Sequence, residues 1–579
     1  MKTLRVETVA QAYLELLRDR GVDVFLANAG TDFASIIDGF ARFAAEGKRT
    51  PRPLAIPHEH VAVSMAHGYY LATGRPQVVM VHVNVGTANA IGAIINAARM
   101  HVPVVLTAGR TPITDDGSLL GARDTHIHWG QEAYDQAGML REFVKWDYEL
   151  RVPAQLEAVV DRALEVARAE PRGPVYLTLP REVLAQPLGE LTIASPPRRE
   201  VASRRFPDPA RIDEAAELLA AAEAPLVVTS SAGRDPAAVD GLVALADAGA
   251  VAVAEANATY ANFPAAHPSQ QGYGFAVDSP PGIDAADVIL VVDSDVPWIP
   301  VRTRPRDDAR VIQLAVDPFW TRYPIRSYPC DVPIAAEPAA ALPLLAEAVR
   351  RRIPPERVRA RRERLAAAHR RLRTAWAAAA DAERGRTPIG FQWASRCVGE
   401  VLDADTTVVN EYPLDVRQAP PPGPGRYFGH PSSGGLGWAV GAALGIKLGA
   451  PERTVIATVG DGAYLFAVPT ACHHAARLHG LPILTVVFND SGWGAVRRAT
   501  LGLHPRGWAA STGHVPLAEL GPSPRYEEIV RAFDGHGERV EDPAELPDAL
   551  RRALRAVREE GRQALVNVVC RRHPGSPTG

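Results

Sequence analysis

The chain has 579 residues, of which 47% are apolar and 22% are charged, and its formal net charge is -3. This length is too great for one hydrophobic core and indicates several domains, and the composition is that of a globular protein. The near-neutral charge argues against nucleic-acid binding. Only four of the 63 cationic residues are lysines, and no Gly-Lys-Ser/Thr sequence occurs, which excludes a P-loop.

The cysteines and the apolar runs bear on the cellular setting. Cys330, Cys397, Cys472 and Cys570 lie far apart, with neither a CxxC pair nor a disulfide-rich pattern. A reducing, cytoplasmic setting is therefore expected. The first 25 residues carry acidic side chains typical of an amphipathic helix rather than of a signal peptide, and no apolar run is long enough to predict a membrane span.

Two stretches predict linkers between three domains. Prolines and polar residues interrupt every periodicity over 195–207, and the arginine- and alanine-rich stretch 353–385 indicates a helix. A nucleic-acid patch is the alternative interpretation of those arginines, but the charge of the whole chain favours a solvated connecting helix. The segments 1–190, 205–350 and 385–579 alternate short apolar strands with helices, which predicts three doubly wound α/β domains with parallel sheets.

The first and third segments share an order of motifs. In the first segment His58-Glu-His60 precedes a helix of small residues and the apolar strand 78–83. In the third segment His430-Pro-Ser-Ser433 precedes a similar helix and the strand 455–459. The offset is about 374 positions throughout, which indicates a duplicated domain. Two such copies can form the two halves of one site at the carboxyl ends of their strands.

Two motifs in the third segment are typical of a phosphate and metal site. Gly460-Asp-Gly462 follows the strand 455–459, and a helix is predicted from about Tyr464. Glycines allow close approach of a ligand, a helix N-terminus attracts phosphate, and a carboxylate oxygen suits Mg²⁺. Asn489-Asp490 follows a second predicted strand and is expected at the same sheet edge. A lone Gly-Asp-Gly would be an ordinary turn, whereas the pair favours a diphosphate site.

These motifs resemble those of the thiamine diphosphate enzymes of the pyruvate decarboxylase, benzoylformate decarboxylase and acetolactate synthase superfamily. The order of domains would then be pyrimidine-binding, central and diphosphate-binding. The resemblance implies thiamine diphosphate and Mg²⁺ as cofactors, with Asp461, Asp490 and the carbonyl of Gly492 as metal ligands. Asp490 replaces the family's asparagine, which leaves Asn489 as the alternative ligand. Leu436 would hold the cofactor in its bent conformation. The implied cofactor contacts are Glu59, Gly435, Leu436, Gly460, Asp461, Gly462, Ala463, Asp490, Gly492, Trp493 and Gly494.

The resemblance also implies four catalytic residues in the first segment. Glu59 matches the family's catalytic glutamate, whose buried carboxyl group would exchange a proton with the cofactor, although a surface turn is the alternative interpretation. Thr31, in Asn28-Ala-Gly-Thr31, takes the place of a serine that faces the substrate. His82 falls where benzoylformate decarboxylase-like members carry an active-site histidine, and a structural strand-end histidine is the alternative. Gln131 resembles the glutamine that lines the acetolactate synthase site.

The implied reaction is decarboxylation of a 2-oxo acid, with or without carboligation, in a homodimer or homotetramer whose sites lie between chains. No FAD is expected in the central domain, because Asp293 and Asp295 at a predicted strand end would repel a diphosphate. Gln131 favours a synthase-like enzyme, whereas His82 favours a simple decarboxylase. A non-catalytic homologue that binds a nucleotide or diphosphate in a regulatory role is the alternative. An NAD-dependent dehydrogenase would need a GxGxxG fingerprint, which does not occur after any predicted strand.

Overall fold

The computed structural model describes residues 1–198 and 202–572, so part of the predicted linker 195–207 lies outside the described residues. Three six-stranded sheets follow one another along the chain, and every neighbouring pair of strands within them is parallel. The prediction of an α/β fold with three doubly wound parallel sheets is confirmed.

In the first domain, the first strand, β1 (Lys2–Thr8), pairs antiparallel with the last strand, β8 (Pro187–Ile193), beside the main sheet. Its strands are β1 (Lys2–Thr8), β2 (Val24–Ala27), β3 (Arg52–Ala55), β4 (Val78–Val81), β5 (Val105–Arg110), β6 (Asp147–Glu149), β7 (Val175–Pro180) and β8 (Pro187–Ile193). Its helices are α1 (Val9–Asp19), α2 (Ala34–Ala45), α3 (Glu59–Thr73), α4 (Val83–Arg99), α5 (Ile127–Gly130), α6 (Leu156–Arg168) and α7 (Arg181–Ala185).

The central domain and the helix that follows it connect the two outer domains. The strands of the central sheet are β9 (Pro225–Thr229), β10 (Ala252–Ala256), β11 (Gln270–Gly274), β12 (Val288–Val292), β13 (Arg310–Ala315) and β14 (Val332–Ala335). The helices are α8 (Pro209–Ala221), α9 (Pro236–Gly249), α10 (Pro338–Arg352) and the predicted connecting helix, α11 (Pro355–Asp381). In α11, Arg361 is only 2% exposed and donates to the carbonyl of Gly249 at 2.9 Å, so this arginine anchors the helix to the central domain.

The third domain repeats the architecture of the first. Its strands are β15 (Thr406–Glu411), β16 (Tyr427–Gly429), β17 (Thr454–Gly460), β18 (Leu484–Asn489), β19 (His536–Val540) and β20 (Ala564–Val569). Its helices are α12 (Phe391–Glu400), α13 (Trp438–Gly449), α14 (Asp461–Phe466), α15 (Pro469–His479), α16 (Gly494–Leu503), α17 (Trp508–Thr512), α18 (Tyr526–Arg531) and α19 (Leu546–Arg558).

The two outer sheets have the same topology. Their strand orders are β3-β2-β4-β5-β7-β6 and β16-β15-β17-β18-β20-β19, so each strand of one has a counterpart in the other. This correspondence supports the duplication inferred from the sequence. It also places the ends of β4 and β17, which carry His82 and Gly460-Asp-Gly462, at equivalent positions.

The first and third domains share one hydrophobic core, in which α3 packs closely against α13. Glycines make this contact possible. A Cβ on Gly68 would overlap the backbone of Ala442, and a Cβ on Gly445 would overlap the backbone of Met65. The dense packing fixes the two domains relative to each other. Across the described ranges, no helix is long and apolar enough to cross a membrane.

Candidate active site

Four polar side chains converge at the carboxyl edge of the first sheet. Asp32 lies in the short 3-10 turn Thr31–Phe33 that follows β2, and Glu59 begins α3 after β3. His82 follows β4 and is the residue before α4, and Gln131 follows α5. Parallel strands bring their carboxyl ends to one edge, so side chains that are far apart in sequence meet there.

His82 is held through both ring nitrogens. Its Nδ1 lies 2.5 Å from Oδ1 of Asp32, and its Nε2 lies 3.1 Å from Nε2 of Gln131. The next residue, Val83, has a φ of 31°, which is rare for a β-branched residue. Such strain is tolerated where surrounding contacts demand it, and here it turns the chain from β4 into α4 at the histidine.

Asp32 is a site residue that the sequence interpretation missed. Its side chain is only 3% exposed, and its second oxygen, Oδ2, accepts from the backbone N–H of Val83 at 3.3 Å. The hydrogen bond to Asp32 raises the pKa of His82 against the effect of burial, and the charges of Asp32 and Glu59 act in the same direction. Its place in the sequence could have indicated this role, because Asp32 directly follows Thr31 in the loop that the family resemblance places beside the substrate.

Glu59 is buried at the beginning of α3, so a surface turn is not its setting. The side chain is 7% exposed, and Nδ2 of Asn89 donates to its Oε2 at 3.2 Å. Thr31 lies exposed at the start of the turn that carries Asp32. The structure thus brings Glu59, His82 and Gln131 to one edge and leaves Thr31 at its rim.

The Gly434–Gly437 loop of the third domain is clamped from two sides. From α4 of the first domain, Asn96 donates to the carbonyl of Gly435 at 2.8 Å and accepts from its N–H at 3.2 Å. From the end of β15, Glu411 accepts from the N–H groups of Gly437 at 2.6 Å and Ala439 at 2.8 Å. Burial raises the pKa of Glu411 to about 7. These contacts, unforeseen from the sequence, fix the backbone on either side of Leu436.

The Gly-Asp-Gly motif opens directly into a helix. The structure begins α14 at Asp461, three residues before the predicted start, because Gly460 already takes the extended conformation that precedes a helix. Asp461 is 1% exposed, and one of its carboxylate oxygens, Oδ2, is buried without a hydrogen-bond partner. Burial and the neighbouring charge of Asp490 raise the pKa of Asp461 to about 7.

This donor set fits a hard cation. The buried carboxylate of Asp461 and the neighbouring, partly exposed carboxylate of Asp490 repel each other unless a cation lies between them, and an unpartnered carboxylate oxygen is a ligand that Mg²⁺ prefers. The backbone N–H of Gly492 faces Asp461, which places the 490–492 loop over the same corner. A Cβ on Gly460 would meet no atom within 4 Å, so space for a ligand remains beside the motif.

The ring of Trp493 covers one side of this corner. A Cβ on Gly462 would overlap that ring, so the motif requires glycine here. Trp493 also packs edge-on against Phe466, with ring centroids 5.6 Å apart, and α16 follows from Gly494. Ala463 is buried within α14 below the motif.

Asn489 is directed into its own sheet. Its Nδ2 donates to Oδ1 of Asn567 at 3.0 Å and to the hydroxyl of Ser523 at 2.8 Å, and the side chain is 1% exposed. These bonds occupy the Asn489 amide, whereas Asp490 is the charge that acts on Asp461. The geometry therefore favours Asp490 over Asn489 as the second carboxylate or amide ligand at this corner.

The two aspartates of the central domain that were expected to repel the diphosphate of FAD both have partners. Asp293, expected to repel a diphosphate, is paired with Arg234 at 2.5 Å, and Asp295 accepts from the hydroxyl of Tyr323 at 2.6 Å. A carboxylate already paired with a guanidinium repels a further anion much less. The absence of FAD from the central domain therefore stays a prediction, and charge repulsion by Asp293 and Asp295 no longer supports it.

The hydrogen bonds of the first half lie within its own domain. Among the described residues, Glu59 bonds to Asn89, and His82 bonds to Asp32 and Gln131. Large apolar side chains lie exposed beside both halves, including Val85 (48%), Trp129 (52%), Phe466 (55%), Trp508 (86%) and Leu517 (91%). Exposed apolar groups in such numbers are typical of a surface that contacts another molecule.

The chain contains two copies of one α/β domain, with titratable side chains at the strand ends of one copy and a glycine- and carboxylate-lined corner on the other. This arrangement is typical of enzymes that bind a diphosphate cofactor. Three family models match the chain in order: the thiamine pyrophosphate enzyme N-terminal binding domain at 7–139, central domain at 212–345 and C-terminal binding domain at 412–568. The chain belongs to the thiamine diphosphate-dependent enzyme superfamily.

Relatives extend over the full length of the chain. Benzoylformate decarboxylase of Pseudomonas aeruginosa is 28% identical over 96% of this chain and 98% of that protein. Sulfoacetaldehyde acetyltransferase of Alcaligenes xylosoxydans is 26% identical over 98% of this chain and 94% of that protein. The structure of benzoylformate decarboxylase from Polynucleobacter necessarius superposes with a TM-score of 0.78 at 21% identity, covering 98% of this chain and 99% of that one, which shows the shared fold.

Proposed function

We propose that this chain catalyses the Mg²⁺- and thiamine diphosphate-dependent decarboxylation of a 2-oxo acid, with release of an aldehyde as the principal outcome and carboligation as the alternative. The observation that carries the proposal is the group of Glu59, His82 and Gln131 at one sheet edge, with His82 bonded to Asp32. A full-length relative is a benzoylformate decarboxylase, and the alternative of transfer is supported by the relative named as an acetyltransferase.

Different residues of the chain would bind the metal, support the cofactor and transfer protons. Thiamine diphosphate, when bound, supplies the electron sink that accepts the electrons of the broken C–C bond. Asp461 and Asp490 would hold the metal with the carbonyl of Gly492, and Leu436 would support the cofactor from the clamped loop. Glu59 exchanges a proton with the cofactor, and His82 serves as acid or base at the substrate.

Product analysis tests the proposed reaction. The holoenzyme, loaded with thiamine diphosphate and Mg²⁺, is offered aromatic and aliphatic 2-oxo acids, each with and without an acceptor aldehyde. We expect CO₂ and one aldehyde in equal amounts from at least one substrate, and none when the cofactor is omitted. A product with a new C–C bond in place of the free aldehyde would favour carboligation. No turnover of any 2-oxo acid by protein with measured cofactor binding would contradict the proposal.

We also propose that the site is completed by a second copy of this chain. The hydrogen bonds of Glu59 and His82 stay within the first domain, and exposed apolar residues flank both half-sites. Two-fold pairing would place the first domain of one chain against the third domain of the other. This contact would occur twice in the dimer, and each time it would cover the exposed apolar side chains. The smallest active unit is then a homodimer, and two dimers can associate as a homotetramer.

Mixing two inactive variants tests this arrangement. Chains carrying Glu59→Gln and chains carrying Asp461→Asn are co-expressed with different tags, and the mixed dimer is isolated. One of its two sites combines both unchanged halves, so we expect about half of the wild-type activity per dimer. Each variant purified alone is the control and is expected to be inactive. A mixed dimer as inactive as its parents would show that each site lies within one chain.

A further inference from the structure

We propose that Asp32 is the positioning residue that fixes His82 with Nδ1–H toward the interior of the domain and Nε2 toward the substrate, which makes His82 the proton donor of the site. This inference rests on the proposed function, because it assigns the direction in which His82 acts. It concerns a residue for which the resemblance implied no role.

The contacts of Asp32 determine the orientation of the ring. An ionised carboxylate only accepts hydrogen bonds, so the 2.5 Å contact with Oδ1 requires Nδ1 of His82 to donate. The other oxygen, Oδ2, accepts from the N–H of Val83 at 3.3 Å. One buried carboxylate therefore holds both the imidazole of His82 and the peptide that follows it. A charge-assisted bond of this kind is stronger than a neutral one.

Two glycines make room for this pair. A Cβ on Gly30 would overlap the imidazole of His82, and a Cβ on Gly109 would overlap the carboxylate of Asp32. Gly30 lies two residues before Asp32, and Gly109 lies within β5 on the opposite side of the carboxylate. The position of the dyad is thus determined by the backbone on both sides.

The second ring nitrogen has a partner that suits either protonation state. As placed, Nε2 of Gln131 lies 3.1 Å from Nε2 of His82, and the amide oxygen of Gln131 is buried without a partner. An amide group that rotates by half a turn exchanges its donor and its acceptor. The NH₂ group can donate to a neutral ring, and after rotation the oxygen can accept from the Nε2–H of a charged ring.

The surrounding charges favour the protonated ring. Asp32 from the turn after β2 and Glu59 from α3 both raise the pKa of His82, and burial opposes them. The third titratable neighbour is His128 on α5, whose own pKa is lowered, chiefly by burial. A neutral His128 does not oppose a positive charge on His82. The ring is therefore expected to carry its second proton, on Nε2, at a higher pH than an ordinary histidine.

A charged His82 has a defined task in the proposed reaction. The carbon that has lost CO₂ must gain a proton, and the electron pair for the new bond comes back from the electron sink that the bound cofactor would supply. The Nε2–H bond of His82 breaks, a C–H bond forms at that carbon, and the neutral ring regains a proton from solvent. Asp32 does not take part in this proton transfer and acts only through the orientation of His82.

The test measures His82 directly as well as turnover. Diethyl pyrocarbonate modifies neutral imidazole, so the rate of His82 modification against pH, followed by peptide mass spectrometry, reports its protonation. In the wild-type holoenzyme we expect a midpoint above the ordinary value of about 6.5. In Asp32→Asn we expect a lower midpoint, a kcat lower by about 100-fold or more, and an equivalent downward shift of the pH profile of kcat. Asp38→Asn, an exposed aspartate on α2, is the matched control and should match wild type.

Each outcome decides the inference. A wild-type midpoint below 6.5 would overturn it, and this measurement does not depend on the folding of any variant. An Asp32→Asn enzyme with unchanged midpoint and unchanged kcat would also overturn it. A loss of kcat without any shift of the midpoint would assign Asp32 a merely structural role and would also overturn it. If no 2-oxo acid is turned over, the proposed function fails, but the modification midpoints still decide whether Asp32 controls His82.

Discussion

Replacement of Glu59 by glutamine is expected to lower kcat by about 100-fold or more while thiamine diphosphate still binds. Glutamine has nearly the same shape and can still accept from Asn89 at the beginning of α3, but it cannot exchange a proton with the cofactor. Steady-state kinetics with the 2-oxo acid identified by product analysis measures the first effect. Isothermal titration of the metal-loaded protein with thiamine diphosphate measures the second.

Glu15→Gln is the matched control for Glu59. Glu15 on α1 is also 7% exposed, but its partners are Arg18 and Lys48, outside the site. We expect this variant to keep wild-type kcat with at most a small loss of stability. Activity of Glu59→Gln close to that of the control would contradict the acid–base role. It would then favour the alternative of a non-catalytic homologue, for which Glu59 has no chemical use.

Asp461→Asn is expected to abolish Mg²⁺-dependent cofactor binding. Loss of residues that only support a metal ligand costs about 10- to 100-fold in affinity, so loss of a ligand itself should exceed 100-fold. At a cofactor concentration of about 100 times Kd, the wild-type protein should gain about 2.7 kcal/mol of stability, and the variant should gain almost none. Thermal unfolding with Mg²⁺ and thiamine diphosphate, together and separately, measures this difference.

The same variant has an opposite effect on the metal-free protein. Asp461→Asn removes the charge of a buried carboxylate next to Asp490, so the metal-free variant should unfold at the same temperature as wild type or at a higher one. Asp405→Asn, at an exposed position before β15, is the control and should retain the full stabilisation by cofactor and metal. Unchanged Mg²⁺-dependent stabilisation of Asp461→Asn would remove Asp461 from the metal site.

The motifs that carry the proposed chemistry could be predicted because they are local. Gly460-Asp-Gly462 follows an apolar strand, and Asn489-Asp490 follows another, so the parallel fold alone brings them to one edge. Glu59 and His82 follow strands in the same way, and the structure places both where that rule requires. The preference for Asp490 over Asn489 as the proposed metal ligand needed the side-chain contacts, because the amide of Asn489 bonds to Asn567 whereas the charge of Asp490 acts on Asp461.

By itself, the sequence determined the domain class, the duplication and the strand-end motifs, because periodicity and the order of motifs can be recognised from residues that are close together in the chain. Only the tertiary structure decided how the charges are paired. Asp32 meets His82 across 50 residues, Arg234 meets Asp293 across 59, and Asn96 meets Gly435 across 339. Such pairs depend on which sheets and helices lie side by side and on the space that glycines leave between them. The spacing of residues in the sequence therefore does not predict them.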